Sequence, residues 1–163
     1  AFAGAQAGKR FEDPENLSFS DTFENVRLGG YIPEEAVKDM DIDGVDVEIV
    51  YPSLGLMLYR VQDSELLTAL CKTYNDWTAD FCSANPKRLK GIAMLNLDNI
   101  EVGVKELERC AKMGFIGAMI TDYPVEKKRY FLPEYYVLWA AAQDLDMPLS
   151  LNGATNGGGP DPS

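Results

Sequence analysis

The strongest constraint on the fold is an alternation of short apolar segments with longer amphipathic ones, repeated four times along the chain. The apolar segments are predicted strands at 45–51, 91–95, 115–121 and 148–152. The intervening stretches carry apolar residues three or four positions apart, which is typical of helices that cover a sheet with one face. Alternating helices and strands predict right-handed crossovers and a parallel sheet.

Local signals place the ends of the four helices. A helix is predicted at 33–40, because Pro33 suits a first turn. Asp63 caps the second helix, and Asp98 with Glu101 has the spacing of a capping box before the third. Pro133 opens the last helix. The first strand is expected to be buried on both faces, and the apolar stretch 54–61 after it to be a loop that acts as a lid or a subunit contact.

Two architectures fit four parallel strands. One is a small doubly wound sheet, and the other is half of a TIM-like (β/α)8 barrel, which usually needs about 250 residues. We expect the β/α domain at 31–153, preceded by an irregular arm at 1–30 and followed by a flexible tail at 154–163. The arm either covers a surface or is simply mobile. A half-barrel has two open sheet edges, so we expect a longer polypeptide or a homo-oligomer.

Composition excludes several classes of partner. Fifteen basic and 26 acidic residues give a net charge of −11, which repels nucleic acid. The sequence has no apolar run of roughly 18 residues, the length that a membrane span needs, and we expect no membrane partner. The three cysteines form no C-x-x-C pair, which favours buried free thiols and a cytoplasmic location.

The chain contains no histidine. A Ser-His-Asp or Cys-His site within these residues is therefore excluded, and so is a histidine-based zinc site. Any catalytic chemistry must use other side chains or residues beyond this sequence.

Several motifs resemble the amidohydrolase-related family, in the branch of aminocarboxymuconate semialdehyde decarboxylases and γ-resorcylate decarboxylases. They are DMD at 39–41, DGVD at 43–46, YPSLGL at 51–56, YNDW at 74–77, NP at 85–86, RL at 88–89, ELER at 106–109, LWAAA at 138–142 and PLSL at 148–151. The resemblance implies a distorted β/α barrel around a divalent metal, usually zinc. It also implies hydrolysis of C–N or C–O bonds, or non-oxidative decarboxylation, of a small-molecule carboxylate.

The resemblance places a histidine metal ligand at the end of the fourth strand, where this chain has Asn152. An amide oxygen suits a hard cation better than zinc. Three interpretations stay open: a changed metal ligand, a hydrogen-bonding residue of a substrate pocket, or a turn residue before Gly153.

Other candidates follow from the carboxyl ends of the predicted strands, which meet at one rim of a barrel. They are the pocket candidates Tyr51, Ser53, Asn96 and Thr121, with Asp122 and Tyr123 beside them. Asp122 is the one carboxylate in this set and hence a candidate general base; the alternative is a solvated loop acid.

The sequence leaves three possible functions open. The leading hypothesis is a segment of a metal-dependent hydrolase or decarboxylase with an incomplete active site. The alternative is a non-catalytic scaffold or interaction protein that retains the fold without the metal. A nucleotide-binding domain is less favoured, since the sequence has no G-x-G-x-x-G and no P-loop.

Overall fold

The computed structural model describes residue 24, residues 26–122 and residues 129–153. The helices are α1 (Pro33–Asp43), α2 (Ser64–Ser83), α3 (Ile100–Lys112) and α4 (Tyr136–Asp144). The strands are β1 (Glu48–Val50), β2 (Leu89–Met94), β3 (Gly117–Thr121) and β4 (Leu149–Asn152). Short 3₁₀ segments cover Leu28–Gly30, Leu54–Arg60 and Pro133–Tyr135. Most of the predicted arm, Tyr123 and the predicted tail lie outside the described residues.

The four strands form one sheet in the order β1-β2-β3-β4, and every neighbouring pair is parallel. The sheet curls into a half-barrel with helices between its strands. The half-barrel interpretation is therefore confirmed over the doubly wound alternative. A sheet whose order follows the chain places the carboxyl ends of all four strands at one rim.

The two faces of the sheet are covered differently. On one face Ala93 and Ala118 pack against Leu107 of α3 and Leu138 of α4. On the opposite face, Met94 and Met119 pack with Tyr59. Successive side chains of a strand alternate between faces. The first face is covered by α3 and α4, which in a β/α barrel lie outside the sheet. The second face is the inner side, and it is covered by Tyr59 together with Leu67 and Cys71 of α2.

The prediction for β1 is wrong in length and burial. Only Glu48–Val50 is paired, against the predicted 45–51, and the side chains of Val47 and Ile49 are 50% and 51% exposed. The physical reason is position: β1 pairs with β2 alone at the edge of the sheet, where the described elements leave the side chains of Val47 and Ile49 half uncovered.

The apolar stretch 54–61 is not a simple loop. Leu54–Arg60 is a 3₁₀ segment that brings Tyr59 into the core, where only 7% of the residue is exposed. The Tyr59 hydroxyl donates to the carbonyl of Leu95 at 3.0 Å. Leu54 stays 63% exposed, so one part of the stretch is core and another part is surface.

The predicted capping box of α3 is also wrong. The N-cap is Asn99, whose side chain accepts a hydrogen bond from the Val102 N–H at 3.2 Å. The backbone N–H of Asp98 instead donates to Asn96 Oδ1 at 3.1 Å. α3 therefore begins one residue later than the predicted capping box at Asp98 implies. α4 also begins later than the predicted start at Pro133, because Pro133–Tyr135 forms a 3₁₀ turn before it.

The three cysteines are free thiols. Cys71 and Cys110 are buried, and Cys82 is half-buried. Burial raises the pKa of Cys71 to about 12, so this thiol is protonated at neutral pH and packs as an apolar group. Within the described ranges, every helix is too short or too polar to span a bilayer.

Candidate functional site

The carboxyl ends of β3 and β4 lie side by side. Thr121, the last residue of β3, pairs in register with Asn152, the last residue of β4, and Met119 pairs with Ser150 two residues earlier. Because side chains alternate between faces, all four belong to the inner side of the half-barrel. The strand-end pair of Thr121 and Asn152 therefore sits at the rim, above an apolar layer that includes Met119.

Asp122 follows directly after β3. Its Oδ1 atom is buried and has no hydrogen-bond partner within the part of the chain that the structure describes. Its Oδ2 atom lies 3.5 Å from the position that a Cβ on Gly153 would occupy. The carboxylate is thus directed toward the end of β4, where Gly153 leaves room beside it.

Tyr130 secures this part of the rim. Its hydroxyl donates to the Thr121 carbonyl at 2.6 Å and lies 2.9 Å from Thr121 Oγ1. Its ring packs edge-on against Tyr135 and Trp139, with ring centres 5.1 and 5.8 Å away. Burial, with a smaller contribution from the charge of Asp122, raises the pKa of Tyr130. The hydroxyl therefore stays protonated and keeps donating to the strand end.

The sequence pattern alone does not single out Tyr130. It lies nine residues beyond Thr121 in a polar and aromatic stretch without periodicity, and the contact depends on how that stretch returns to the sheet. The one available signal is the group of aromatic residues around Pro133, which indicates an aromatic cluster but not its position.

The other predicted rim residues are placed elsewhere. The Asn96 amide donates to the Ser64 carbonyl at 3.1 Å and to Thr68 Oγ1 at 3.0 Å, so its side chain is directed at the first turns of α2. Tyr51 and Ser53 line an open cavity of about 540 Å³ whose walls include Trp77 of α2. The structure thus groups Thr121, Asp122 and Asn152, and separates the remaining candidates from them; Tyr123 is outside the described residues.

The described residues do not complete a metal site. No group of three or more His, Cys, Asp or Glu residues in the described ranges could hold a metal ion, and the sequence has no histidine. The strand-end group offers the oxygen atoms of Asp122 and Asn152. These donors do not fit the imidazole- and thiolate-rich sites of zinc, but they are the type that hard divalent cations prefer.

A parallel half-barrel with polar residues at the carboxyl ends of its strands defines a β/α-barrel protein. The model of the amidohydrolase family matches residues 17–161, and the chain belongs to this family. The family resemblance inferred from the motifs is thereby confirmed.

Curated relatives include several γ-resorcylate decarboxylases. The chain is 29% identical to the enzyme of Polaromonas sp. strain JS666 over 128 residues, which cover 74% of this chain and 39% of that protein. It is 27% identical to the Rhodococcus jostii enzyme over 162 residues, which cover 88% of this chain and 48% of that protein. The chain thus spans less than half the length of these relatives.

Solved structures agree with the fold. A dihydroxybenzoic acid decarboxylase from Polaromonas sp. JS666, with bound manganese and the inhibitor 2-nitroresorcinol, matches with a TM-score of 0.64 and 28% identity. The match covers 74% of this chain and 38% of that one. A manganese-bound 5-carboxyvanillate decarboxylase from Novosphingobium aromaticivorans matches with a TM-score of 0.62 and 25% identity, over 71% of this chain and 33% of that one. A divalent metal is therefore supported for the relatives, whereas the prediction of zinc gains no support from these two structures.

Proposed function

We propose that this chain forms half of the barrel of a metal-dependent decarboxylase that acts on a small aromatic carboxylate. The observation that carries the proposal is the strand-end pair of Thr121 and Asn152 on the inner rim of an amidohydrolase-family half-barrel, with Asp122 directly after β3. The relatives named above are decarboxylases of aromatic acids, which favours decarboxylation over hydrolysis.

The inner side of the half-barrel suits an aromatic ring. Met94 and Met119 are fully buried with Tyr59 and form a closed apolar layer below the rim, so the ring would lie on top of this layer. The Asn152 amide lies at the rim, where it would hydrogen-bond a polar substituent of the ring. Tyr130 keeps Thr121 in place at the same level.

Decarboxylation of an aromatic acid breaks the bond between the ring carbon and the carboxylate carbon. The ring carbon takes up a proton, and the carboxylate leaves as CO₂. A bound divalent metal would supply positive charge that stabilises negative charge on the substrate. Asp122 is the one carboxylate of the strand-end group, and its role as a general base stays a prediction.

Replacing Asn152 by alanine is expected to lower kcat/KM for 2,6-dihydroxybenzoate by about tenfold or more, because a hydrogen bond made at the reacting end of the substrate is lost. The assay measures CO₂ release in the presence of Mn²⁺, for the 163-residue chain and for any longer natural polypeptide that carries it. Gln143→Ala, on the exposed surface of α4, is the matched control and should retain the parent activity.

The competing function is a non-catalytic scaffold. The absence of histidine and of a complete group of metal ligands among the described residues favours it. Absence of CO₂ release from both polypeptides, with no metal retained after purification, would decide for the scaffold and against the decarboxylase.

The open edges of the half-barrel predict association. Ile49 on β1 and Leu151 on β4 are 51% and 62% exposed, and unpaired strand edges bind other strands readily. The 163-residue chain is therefore expected to have a mass in solution above its own 18.0 kDa. Size-exclusion chromatography with light scattering measures it, and a well-folded monomer at all concentrations would contradict the proposal that the two edges are covered.

A further inference from the structure

We propose that the open cavity between α1, β1 and α2 binds a small organic ammonium ion, whose charge lies between the ring of Trp77 and the carboxylate of Glu48. Both side chains line this cavity of about 540 Å³. The strand-end residues Thr121 and Asn152 are not among its lining residues. The inference therefore goes beyond the proposed function and does not depend on it.

Aromatic residues form the α2 side of the cavity. Tyr74, Trp77 and Phe81 follow one another at three- and four-residue spacing on α2, so their rings lie on one face of the helix. The ring centre of Trp77 is 6.0 Å from that of Tyr74 and 5.3 Å from that of Phe81. Trp77 is still 43% exposed, and Tyr51 beside β1 is 44% exposed. The cavity thus has uncovered aromatic surface, which attracts cations within about 6 Å of a ring centre.

Glu48 gives this apolar cavity a negative charge. Glu48 is an exposed residue of β1, and within the described ranges it takes part in no salt bridge. An adjoining cavity shares Glu48 and is also lined by Arg27, Asp39 and Asp43. Arg27 is already bound to Asp39, to which it donates at 2.6 and 2.5 Å. The charges of Asp43 and Glu48 remain, and the net charge of −11 also favours a cation over an anion.

The α1 side of the cavity is built from small residues, namely Gly29, Gly30 and Ala36. A Cβ on Gly29 would collide with Asp39 Oδ2 and lie 3.2 Å from Ala36 Cα, so glycine is needed where the chain approaches α1. Because these residues carry no side chain beyond a methyl group, the cavity stays open, with a volume in the range of about 300–1,000 Å³ that is typical of ligand sites. A trimethylammonium group with a short polar tail suits its rings, its carboxylate and the hydroxyl of Ser53.

The test titrates the ¹⁵N-labelled 163-residue chain with choline and, in parallel, with 3,3-dimethyl-1-butanol, which has the same shape without the charge. The chain has two tryptophans, so two indole N–H signals report binding by nuclear magnetic resonance. Choline is expected to shift the signal of Trp77 and not that of Trp139, whose ring stacks on Tyr135. The neutral alcohol is expected to bind about threefold more weakly or less, because it has no cation–π attraction.

Trp77→Leu and Glu48→Gln are each expected to weaken choline binding by about threefold, measured from the backbone amide signal of Gly30. Leucine keeps an apolar side chain but has no π face, and glutamine removes only the charge. Tyr136→Leu and Glu101→Gln make comparable changes at exposed positions of α4 and α3, and both should bind choline like the parent.

Four outcomes would overturn the inference. The first is no shift of the Trp77 signal in about 0.1 M choline, where a complex with a millimolar Kd is saturated. The others are equal shifts of both indole signals, equal binding of the neutral alcohol, and choline binding that Trp77→Leu or Glu48→Gln leaves unchanged. Circular dichroism verifies folding of each variant, and if Trp77→Leu is not folded, Glu48→Gln and the neutral alcohol decide the question.

Discussion

Asn75→Leu is expected to lower the free energy of unfolding by about 3 kcal/mol, because it leaves buried backbone groups unpaired. Asn75 is 0% exposed. Its Oδ1 accepts from the Met94 N–H at 2.8 Å, and its Nδ2 donates to the Met94 carbonyl at 3.0 Å. Leucine has a similar volume and can do neither, so the expected loss comes from hydrogen bonding rather than from a cavity.

The reason for this dependence lies in the sheet. Pairing between β1 and β2 ends at Val50 and Gly91, so β2 has no neighbouring strand beside Met94 on that side. The Asn75 side chain supplies one donor and one acceptor in its place, from the middle of α2. One amide thus connects a helix to the strand edge that the short β1 leaves unpaired.

Urea denaturation measures the change in free energy. Lys72→Leu is the control, because it introduces the same side chain at an exposed position of the same helix and should stay within about 0.5 kcal/mol of the parent. If Asn75→Leu were as stable as Lys72→Leu, Asn75 would not be needed to satisfy the β2 edge.

The sequence predicts the elements well where its signals are local. The strongly periodic helices and the four apolar strands are all present, since burial on one helical face or in the centre of a sheet leaves a pattern in the chain itself. β1 departs from its prediction, because an edge position depends on which strands are neighbours and not on the residues of the strand. The cap of α3 moves to Asn99 for a similar reason, as Asn96 Oδ1 engages the Asp98 N–H.

The candidate site was predictable only in part. Strand ends identify Thr121, Asp122 and Asn152 as neighbours at a rim, because topology brings them together. The position of the strand ends does not predict that the Asn96 side chain is directed at α2 or that the Tyr130 hydroxyl donates to Thr121. Those directions follow from tertiary contacts between residues that are far apart in the chain.

The motifs on which the family resemblance rests also make contacts that the sequence does not predict. YNDW at 74–77 and ELER at 106–109 are 29 residues apart, from the end of one to the start of the other, yet they form one polar network. Asn75 donates to Glu106 Oε1 at 2.8 Å, and Arg109 pairs with both Glu106 and Asp76. In this structure the two motifs join α2 to α3, so they contribute to the fold and lie away from the strand-end group.

This network predicts how stability depends on pH through Glu106, whose side chain is only 13% exposed. Burial acts to raise the pKa of Glu106, but hydrogen bonds from Arg109 and Asn75 outweigh it and hold the pKa below its usual value. Arg109 donates from Nε at 2.8 Å and from Nη2 at 2.6 Å. The folded state therefore favours the charged carboxylate more than the unfolded chain does.

A carboxyl group with a lowered pKa stabilises the fold when it is ionised. The contribution of Glu106 is fully present above the pKa of the unfolded chain, about 4.3. It is lost as the pH falls through the lower pKa of the folded state. Glu106→Gln should remove this contribution and lower the free energy of unfolding by about 2 kcal/mol at pH 7, which is typical of hydrogen bonds to a charged group.

The same substitution should also flatten the pH dependence. In the parent, urea denaturation at pH 7 and at pH 3 is expected to show a loss of stability in acid, to which Glu106 contributes. Glu106→Gln should reduce the difference between the two pH values, because glutamine does not titrate. Glu108→Gln makes the same change on the exposed side of α3 and should keep the parent difference. If both variants lost the same free energy of unfolding between pH 7 and pH 3, Glu106 would not be a source of the pH dependence.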